Sequence, residues 1–533
     1  MHFLRICDKI IRKVSSEERK SDLIGLALFF AANARFFSME SLKQNKMGTI
    51  SVPKLIWRMG LPMIVSMVLQ AVYNIVDTAF VINMGEDGTA GNLALTYAFP
   101  IQLLIIAVGV GTGVGINALL SKCLGEGNRE RASRIAGNGI FLAVCIYLVF
   151  LLFGLFGVRP FIAMQANGNA VVTEMGTEYL QICCCFSFGA VGFTIYERFL
   201  QATGRTGFST ISQITGAVLN IVLDYVFIFP CGMGVAGAAW ATVIGQTASL
   251  LAAMAFHYFA NPEISGRIAY ARPSARIIRD IYRIGVTAAV MQALLSVMML
   301  GMNLILGTAQ ASAELLQGAF GIYYKIQQFA LFAAFGISNT LISVVSFNYG
   351  MGNRERVRQG VKWGIIDSLI VAAVITVLFQ ALAQPLAAVF GMAGGNASQE
   401  VQNVCVTALH VATLGYVFMG LTVGIQGILQ AFGYAWKPMI LSLLRLAVFV
   451  FPIAYLFTLS ENAVSALWWT FPIAEMLTAA VAVIFLISAN RHCVDSMPET
   501  VNKESDAAPD AEAVISVPTE NAPHAELLAG EEE

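Results

Sequence analysis

The sequence has little charge for its length, and that charge is unevenly spread. Asp, Glu, Lys and Arg make up 12% of the 533 residues, about half the fraction of a soluble domain. The net charge is −1, so composition gives no sign of nucleic-acid binding. Apolar stretches of twenty or more residues alternate with short polar breaks, as in helices that cross a bilayer about 30 Å thick. The composition predicts an all-α membrane protein.

The motifs of common enzymes and metal sites are also missing. The nine cysteines contain no Cys-x-x-Cys pair, and Cys183 to Cys185 stand together in an apolar run as packing residues. There is no nucleotide-binding P-loop, so ATP is not the direct energy source. The five histidines are scattered, and no hydrolase or metalloprotease pattern occurs. We therefore predict a protein that is not an enzyme and needs no cofactor.

Twelve membrane spans are predicted, and the positive charges between them alternate. The spans are 59–83, 93–120, 135–157, 178–197, 206–229, 235–259, 284–307, 316–346, 361–390, 402–432, 438–459 and 464–489. The loops after even-numbered spans carry nearly all the Lys and Arg residues, whereas the odd-numbered loops contain only Arg159. Because positively charged loops stay in the cytoplasm, we expect both termini to be cytoplasmic.

A repeat divides the chain into two halves. The segment GEGNRER at 125–131 recurs as GMGNRER at 350–356, and LQATG at 200–204 recurs as LQAFG at 429–433. Six helices per unit give both halves the same orientation, related by an axis along the membrane normal, as in transporters. We predict a basic cytoplasmic N-terminal extension, an N-lobe, a cytoplasmic linker, a C-lobe and an acidic disordered tail, at residues 1–53, 54–260, 261–283, 284–490 and 491–533. The true start could be Met1, Met39 or Met47.

Ionisable and amide side chains inside the predicted spans are the candidate functional residues. The first span carries Gln70, Tyr73, Asn74 and Asp77 on one helical face. The fifth carries Asn220 and Asp224, and the sixth Thr242 and Gln246, each pair four residues apart. Counting from the span ends places both acids roughly 8–9 Å below the outer boundary.

We predict that Asp77, Asn220, Asp224 and Thr242 form an ion-coupling site. Such a set can hold a hard cation such as sodium through oxygen ligands, or one carboxyl group can hold a proton. The alternative is that these side chains only connect neighbouring helices. The second half does not repeat the acids, because the repeat offsets place Met302 and Ile453 at the equivalent positions.

Other polar residues and prolines have more open interpretations. Pro62 in the first span can introduce a bend that moves Asp77, or a static kink. Lys325 and Glu475 either connect helices or line a cavity, and Arg445 is expected to extend to the cytoplasmic surface. We expect Asp367 to be solvated or paired with a loop residue.

Several segments resemble the multidrug and toxic compound extrusion (MATE) family, particularly its bacterial members. They are NIVDTAFVINMG at 74–85, GEGNRERA at 125–132, FLQATGRT at 199–206, GAVLNIVLDYVFIF at 216–229, GMGVAGAAWATVIGQ at 232–246 and VSFNYGMGNRERV at 345–357. The resemblance covers about residues 50–490. It implies two V-shaped lobes with alternating access, driven by a proton or sodium gradient and exporting amphipathic, often cationic, drugs or metabolites.

The resemblance also implies roles for particular residues. It assigns the ion ligands to Asp77, Asn220, Asp224 and Thr242, and the bend of the first helix to Pro62. A C-lobe sodium site is not expected, because the seventh span has no acidic residue. We expect a cavity lined by aromatic and Met side chains, with the candidates Tyr73, Met298, Met302, Tyr323 and Met419.

Two alternatives to an antiporter remain open. The first is a lipid-linked sugar flippase of the same broad superfamily, which would need Lys or Arg residues for a pyrophosphate; only Lys325 and Arg445 could serve. The second is a channel, which would lack exchange-stimulated flux. The expected partners are small amphipathic molecules and the lipid bilayer, not nucleic acid, and we expect a monomer in the bacterial inner membrane.

Overall fold

The structure is a computed structural model that describes residues 46–498, except 85–87, 167–168, 310–311, 394–397 and 461. Within these residues the chain is helical and contains no strand. In the described part of the chain, eleven helices are long and apolar enough to cross a membrane, or twelve when a bent pair counts as one span. The predicted all-α architecture is confirmed.

The twelve helices are labelled α1 to α12 in chain order, and some are interrupted. Their bounds are α1 Val52–Ile82, α2 Gly88–Gly125, α3 Arg129–Phe156, α4 Ala170–Cys185 continued by Phe188–Ala202, α5 Thr206–Ile228, α6 Gly234–Ala260, α7 Ala275–Leu306, α8 Ala313–Gly350, α9 Arg354–Ala381, α10 Gln399–Ala412 continued by Tyr416–Ala431, α11 Trp436–Leu443 continued by Val450–Thr458, and α12 Ala463–Ala466 continued by Thr470–Ala489. The two parts of α4 meet at an angle of 42°. Shorter helices are Lys46–Thr49, Val158–Gln165, Ile268–Ala271 and Ala383–Ala393.

The repeated GNRER motif forms the same turn in both halves. Gly127 and Gly352 have φ angles of 73° and 70°, in the left-handed region that glycine adopts without a steric penalty. The next residue caps the following helix: Asn128 accepts a hydrogen bond from the Arg131 amide, and Asn353 accepts one from the Arg356 amide. The motif therefore ends α2 and α8 and starts α3 and α9 by the same local chemistry.

The ends of α2 and α8 pack against each other at these turns. A Cβ atom added to Gly125 would lie 2.0 Å from the Phe347 carbonyl oxygen, and one added to Gly350 would lie 2.1 Å from the Lys122 carbonyl oxygen. Gly350 lies 225 positions after Gly125, and Phe347 lies 225 positions after Lys122, so the packing is reciprocal between equivalent positions of the repeat. Only glycine allows so close a backbone approach. The two halves are therefore in direct contact at the predicted cytoplasmic end.

Helices α1 and α7 also contact the opposite half. A Cβ atom on Gly336 of α8 would lie 2.7 Å from the Ile64 Cα of α1, and one on Gly111 of α2 would lie 2.6 Å from the Gly285 carbonyl oxygen of α7. Gly336 and Gly111 are again 225 residues apart. Helix α1 therefore contacts the second half of the chain through Ile64, while its polar face packs within the first half, against α5.

A short segment before α1 packs against the second half. Arg356 Nη2 donates hydrogen bonds to the carbonyl oxygens of Met47 and Ile50, each at 2.8 Å. The Met47 side chain is fully buried, and a Cβ atom on Gly204 of the first half would lie 2.9 Å from its Cγ. Residues 46–50 thus contact both halves. The rest of the predicted N-terminal extension lies outside the described residues.

The linker and the tail differ in detail from the predicted boundaries. Helix α7 begins at Ala275, nine residues before the predicted span. The chain before it packs on α3, where the Ser274 amide donates a 2.8 Å hydrogen bond to Asn138 Oδ1. In the tail, Asp495 forms a 3.1 Å ion pair with Arg358. Residues 499–533 lie outside the described part, so the prediction of disorder there stays a prediction.

Candidate functional site

Helices α1 and α5 run side by side in nearly constant register. Near one end the Thr210 hydroxyl of α5 donates a 2.7 Å hydrogen bond to the Pro62 carbonyl oxygen of α1. Further along, Asp77 and Asp224 are close enough to interact electrostatically. The two pairs are separated by 148 and 147 positions in the sequence. The helices are therefore parallel, and the two acids lie at one level between them.

Helix α6 packs antiparallel against α5 through small residues. A Cβ atom on Gly245 would lie 2.9 Å from the Asn220 Cβ, and one on Gly216 would lie 1.9 Å from the Ser249 Oγ. Such close packing fixes the register of the two helices. Asp224 lies one turn beyond Asn220 on α5. Because the helices are antiparallel, the residue opposite Asp224 lies one turn before Gly245 on α6. That residue is Ala241, the sequence neighbour of Thr242. Asp77, Asp224 and Thr242 thus lie at about one level on three neighbouring helices, and Asn220 lies one turn away on α5.

Several polar atoms of Asp77, Asn220 and Asp224 are buried and have no hydrogen-bond partner among the described residues. Asp224 is fully buried and Asn220 is 3% exposed, while Asp77 is half-buried. Both carboxylate oxygens of Asp224, both polar atoms of the Asn220 amide, and Oδ1 of Asp77 have no hydrogen-bond partner among the described residues. The Asn220 amide is near the Asp224 carboxyl group but does not reach hydrogen-bond geometry with it. Unpaired buried carboxylates are costly, so the site is suited to binding a proton or a cation.

The remaining polar residues of the α1 face are placed around the two acids. Tyr73 lies near Asp77 and Asp224, and its hydroxyl contacts the Gln70 side chain. The Asn74 side chain lies outside the described part of the structure. Gln246 of α6 is half-buried. Their supporting roles stay predictions.

Two residues near the site were not predicted from the sequence. The Gln102 Nε2 of α2 donates a 2.9 Å hydrogen bond to the Tyr179 hydroxyl of α4, and Tyr179 lies near Asp77 and Asp224. Neither residue belongs to a polar pair on its own helix. Helix α2 packs on α1, and the first part of α4 packs on α2 and α6; this packing brings the two residues to the acids, and the sequence pattern does not reveal it.

The predicted cavity residues of the second half are packed in its apolar core. Met298, Met302, Tyr323 and Met419 are each 3% exposed or less and belong to one cluster of buried side chains. Lys325 is half-buried. In this conformation the four residues pack inside that apolar cluster and do not face an open cleft. Their role in lining a cavity stays a prediction.

The expectations for Arg445 and Asp367 are wrong. Arg445 is 4% exposed and its Nε donates a 2.7 Å hydrogen bond to Glu475 Oε1, so it forms a buried ion pair instead of extending to the surface. It lies in a π-helical turn, Leu444–Val448, that interrupts α11. Asp367 is 2% exposed and accepts a 3.0 Å hydrogen bond from the Trp57 indole of α1. Both groups are neutralised or bonded by a partner on another helix, which sequence spacing cannot show.

Comparison with known proteins agrees with this architecture. The MatE family model matches residues 62–226 and 287–456, more than half of the chain. The multidrug export protein MepA of Staphylococcus saprophyticus is 23% identical over 443 residues, covering 82% of this chain and 94% of that protein. MepA of Staphylococcus aureus is 22% identical over 436 residues, covering 81% and 93%.

Solved structures share the fold. An outward-facing multidrug resistance MATE transporter of the MOP superfamily superposes with a TM-score of 0.80 at 22% identity, covering 85% of this chain and 99% of that one. A MATE structure in the straight conformation gives a TM-score of 0.78 at 22% identity over the same shares. Together with the family match, the described helices lead to one conclusion: the chain belongs to the MATE family of multi-pass membrane transporters.

Proposed function

We propose that the protein exports small amphipathic molecules, often cationic, in exchange for a proton or a sodium ion that binds between Asp77 and Asp224. The observation that carries the proposal is the pair of acids on adjacent helices, with several buried oxygens that have no hydrogen-bond partner among the described residues. The multidrug export names of the relatives favour drugs or similar metabolites as substrates.

Ion binding would link the two helices by charge neutralisation. Without a bound ion, two carboxylates at one buried level repel each other and lack hydration. A bound proton or cation removes that repulsion and favours the arrangement in which α1 lies against α5. Substrate and ion would then stabilise different arrangements of the helices, which is reciprocal coupling between two ligands.

The cationic side chains of the second half give little support to the flippase alternative. A pyrophosphate site needs free cationic side chains, but Arg445 is paired with Glu475 at 2.7 Å. Of the two candidates from the sequence, this leaves the half-buried Lys325. One lysine is a weak basis for holding a pyrophosphate group.

Transport into or out of proteoliposomes tests the proposal. We expect efflux of a fluorescent organic cation to be driven by a proton or a sodium gradient, imposed one at a time, and to be lost in Asp77→Asn and in Asp224→Asn. Because the two acids act as one unit, the double variant should be little worse than either single variant. Asp367→Asn is the matched control, since it alters a buried acid outside the site. Normal gradient-driven efflux by correctly folded Asp224→Asn protein would contradict the shared site.

The proposed orientation, with both termini in the cytoplasm, needs a separate test. It rests on the alternation of Lys and Arg between the loops. A cysteine introduced in the 83–92 loop should react with an impermeant thiol reagent from outside intact cells, and one in the 121–134 loop should not. The opposite labelling pattern would reverse the topology.

A further inference from the structure

The hydrogen bond between Thr210 and Pro62 is a feature of the α1–α5 contact that the ion site does not explain. Thr210 is 7% exposed, and its Oγ1 lies 2.7 Å from the Pro62 carbonyl oxygen. The same hydroxyl lies 3.1 Å from the Thr206 carbonyl oxygen of its own helix. A threonine hydroxyl has one proton to donate, and the shorter contact is the one between helices.

The position of Pro62 makes this contact mechanically significant. Proline has no amide hydrogen, so Pro62 cannot donate to the Arg58 carbonyl oxygen one turn earlier, and α1 is weakened there. A helix bends most easily where its hydrogen-bond ladder is interrupted. The Thr210 hydroxyl donates to the carbonyl oxygen of Pro62 itself, not to the freed Arg58 carbonyl oxygen, so it adds a contact at this turn and does not replace the missing bond. Thr210 therefore bonds α1 at the point where it can bend.

The same two helices are connected again at the acids. Asp77 is fifteen residues beyond Pro62, about 22 Å along the helix, and Asp224 is fourteen residues beyond Thr210. Pro62 and Asp77 therefore mark the two ends of a segment of α1, and this segment contacts α5 at both ends. Any bend at Pro62 that releases the Thr210 contact would change the position of Asp77 relative to Asp224.

We propose that Thr210 is a positioning residue for transport: its hydroxyl holds the Pro62 turn of α1 against α5 and so keeps Asp77 level with Asp224. The contact can be broken at low cost, because the hydroxyl oxygen already lies 3.1 Å from the Thr206 carbonyl oxygen, and turning the hydroxyl hydrogen lets it donate there instead. No buried hydroxyl is then left unpaired. Thr210 thus has two acceptors, one for each position of α1.

Substitutions at Thr210 separate this role from simple packing. Thr210→Val keeps the shape of the side chain and removes the hydroxyl, whereas Thr210→Ser keeps the hydroxyl. Thr215→Val is the matched control, because Thr215 donates only within α5, to the Ile211 carbonyl oxygen at 2.9 Å. The position of α1 is measured by the distance between spin labels at Val65 of α1 and Val149 of α3, both exposed, in a cysteine-free background.

We expect Thr210→Val to shift the label distance distribution towards a second population, while Thr210→Ser and Thr215→Val resemble the wild type. The expected effect of Thr210 on transport rests on the proposed function, but its effect on the position of α1 does not. In transport, the loss of one hydrogen bond in Thr210→Val should weaken the apparent affinity for the coupling ion about fivefold. An unchanged distance distribution in Thr210→Val, or an equal change in Thr215→Val, would overturn the inference. If the two Asp→Asn variants transport normally while Thr210→Val still shifts α1, the proposed function fails and the positioning role stands.

Discussion

The reciprocal glycine contact between α2 and α8 allows a quantitative prediction for Gly125→Ala. The added methyl group would lie 2.0 Å from the Phe347 carbonyl oxygen, whereas ordinary contacts begin at 3.4 Å. The helix ends must therefore separate by about 1.4 Å, against backbone rather than a flexible side chain. Overpacking of this kind costs about 1–3 kcal/mol, and better helix propensity returns up to about 1 kcal/mol.

The cost falls only on the conformation in which the two helix ends are in contact. A difference of 1–3 kcal/mol shifts a two-state equilibrium about 5- to 150-fold, so Gly125→Ala should favour states in which α2 and α8 are apart at this end. Gly350→Ala should act in the same way, because its methyl group would lie 2.1 Å from the Lys122 carbonyl oxygen. One separation relieves both clashes, so the double variant should resemble either single variant.

Spin labels at Glu130 and Glu355 measure the separation. These positions are equivalent in the two repeats, and both side chains are exposed. We expect Gly125→Ala to move the distance distribution to longer values in a cysteine-free background. Gly207→Ala on α5, where an added Cβ has open space, controls for helix propensity. An unchanged distribution in Gly125→Ala, with normal stability, would refute the reasoning.

Three further predictions concern other contacts. Arg445→Met should leave Glu475 buried without its partner and destabilise the protein by about 3–5 kcal/mol, as measured by thermal unfolding in detergent. The double variant with Glu475→Met should recover most of the lost stability. Equal stability of the wild type and both variants would contradict this prediction. Arg356→Ala should release residues 46–50, so their amide hydrogen exchange should speed up at least tenfold, and unchanged exchange would show that Arg356 does not hold them. Truncation after Pro498 keeps the Asp495 ion pair with Arg358 and should leave efflux intact, whereas lost efflux at normal expression would reveal a role for the tail.

Much of the fold could be predicted from the sequence because membrane helices leave simple signals. Apolar length set the number of spans, and the GNRER repeat predicted two equivalent halves. The structure adds the reason for that repeat: Gly125 and Gly350 are needed where backbones touch, and Asn128 and Asn353 cap the next helices. Helices α2 and α8 extend beyond the predicted spans because the motif lies at their ends.

The grouping of the polar residues could be predicted from the sequence because each helix presents them on one face, while their role in ion binding stays a prediction. Asp77, Asn220 and Asp224 needed only helical periodicity and depth to be brought together. The side-chain pairs that join distant parts of the sequence could not be predicted from helical periodicity. Arg445 and Glu475, or Trp57 and Asp367, are paired across helices whose mutual orientation is a property of packing, and a π-helical turn at Arg445 changes the direction of its side chain.

The central claim is that Asp77 and Asp224 bind one ion together, and direct binding to purified protein tests it most directly. Isothermal titration with sodium, and measurement of protons taken up or released over a pH series, should reveal one ion bound per protein molecule. The account predicts that Asp77→Asn and Asp224→Asn each abolish that binding, while Asp367→Asn retains it. Binding of the same ion with unchanged stoichiometry and affinity in folded Asp224→Asn protein would contradict the claim.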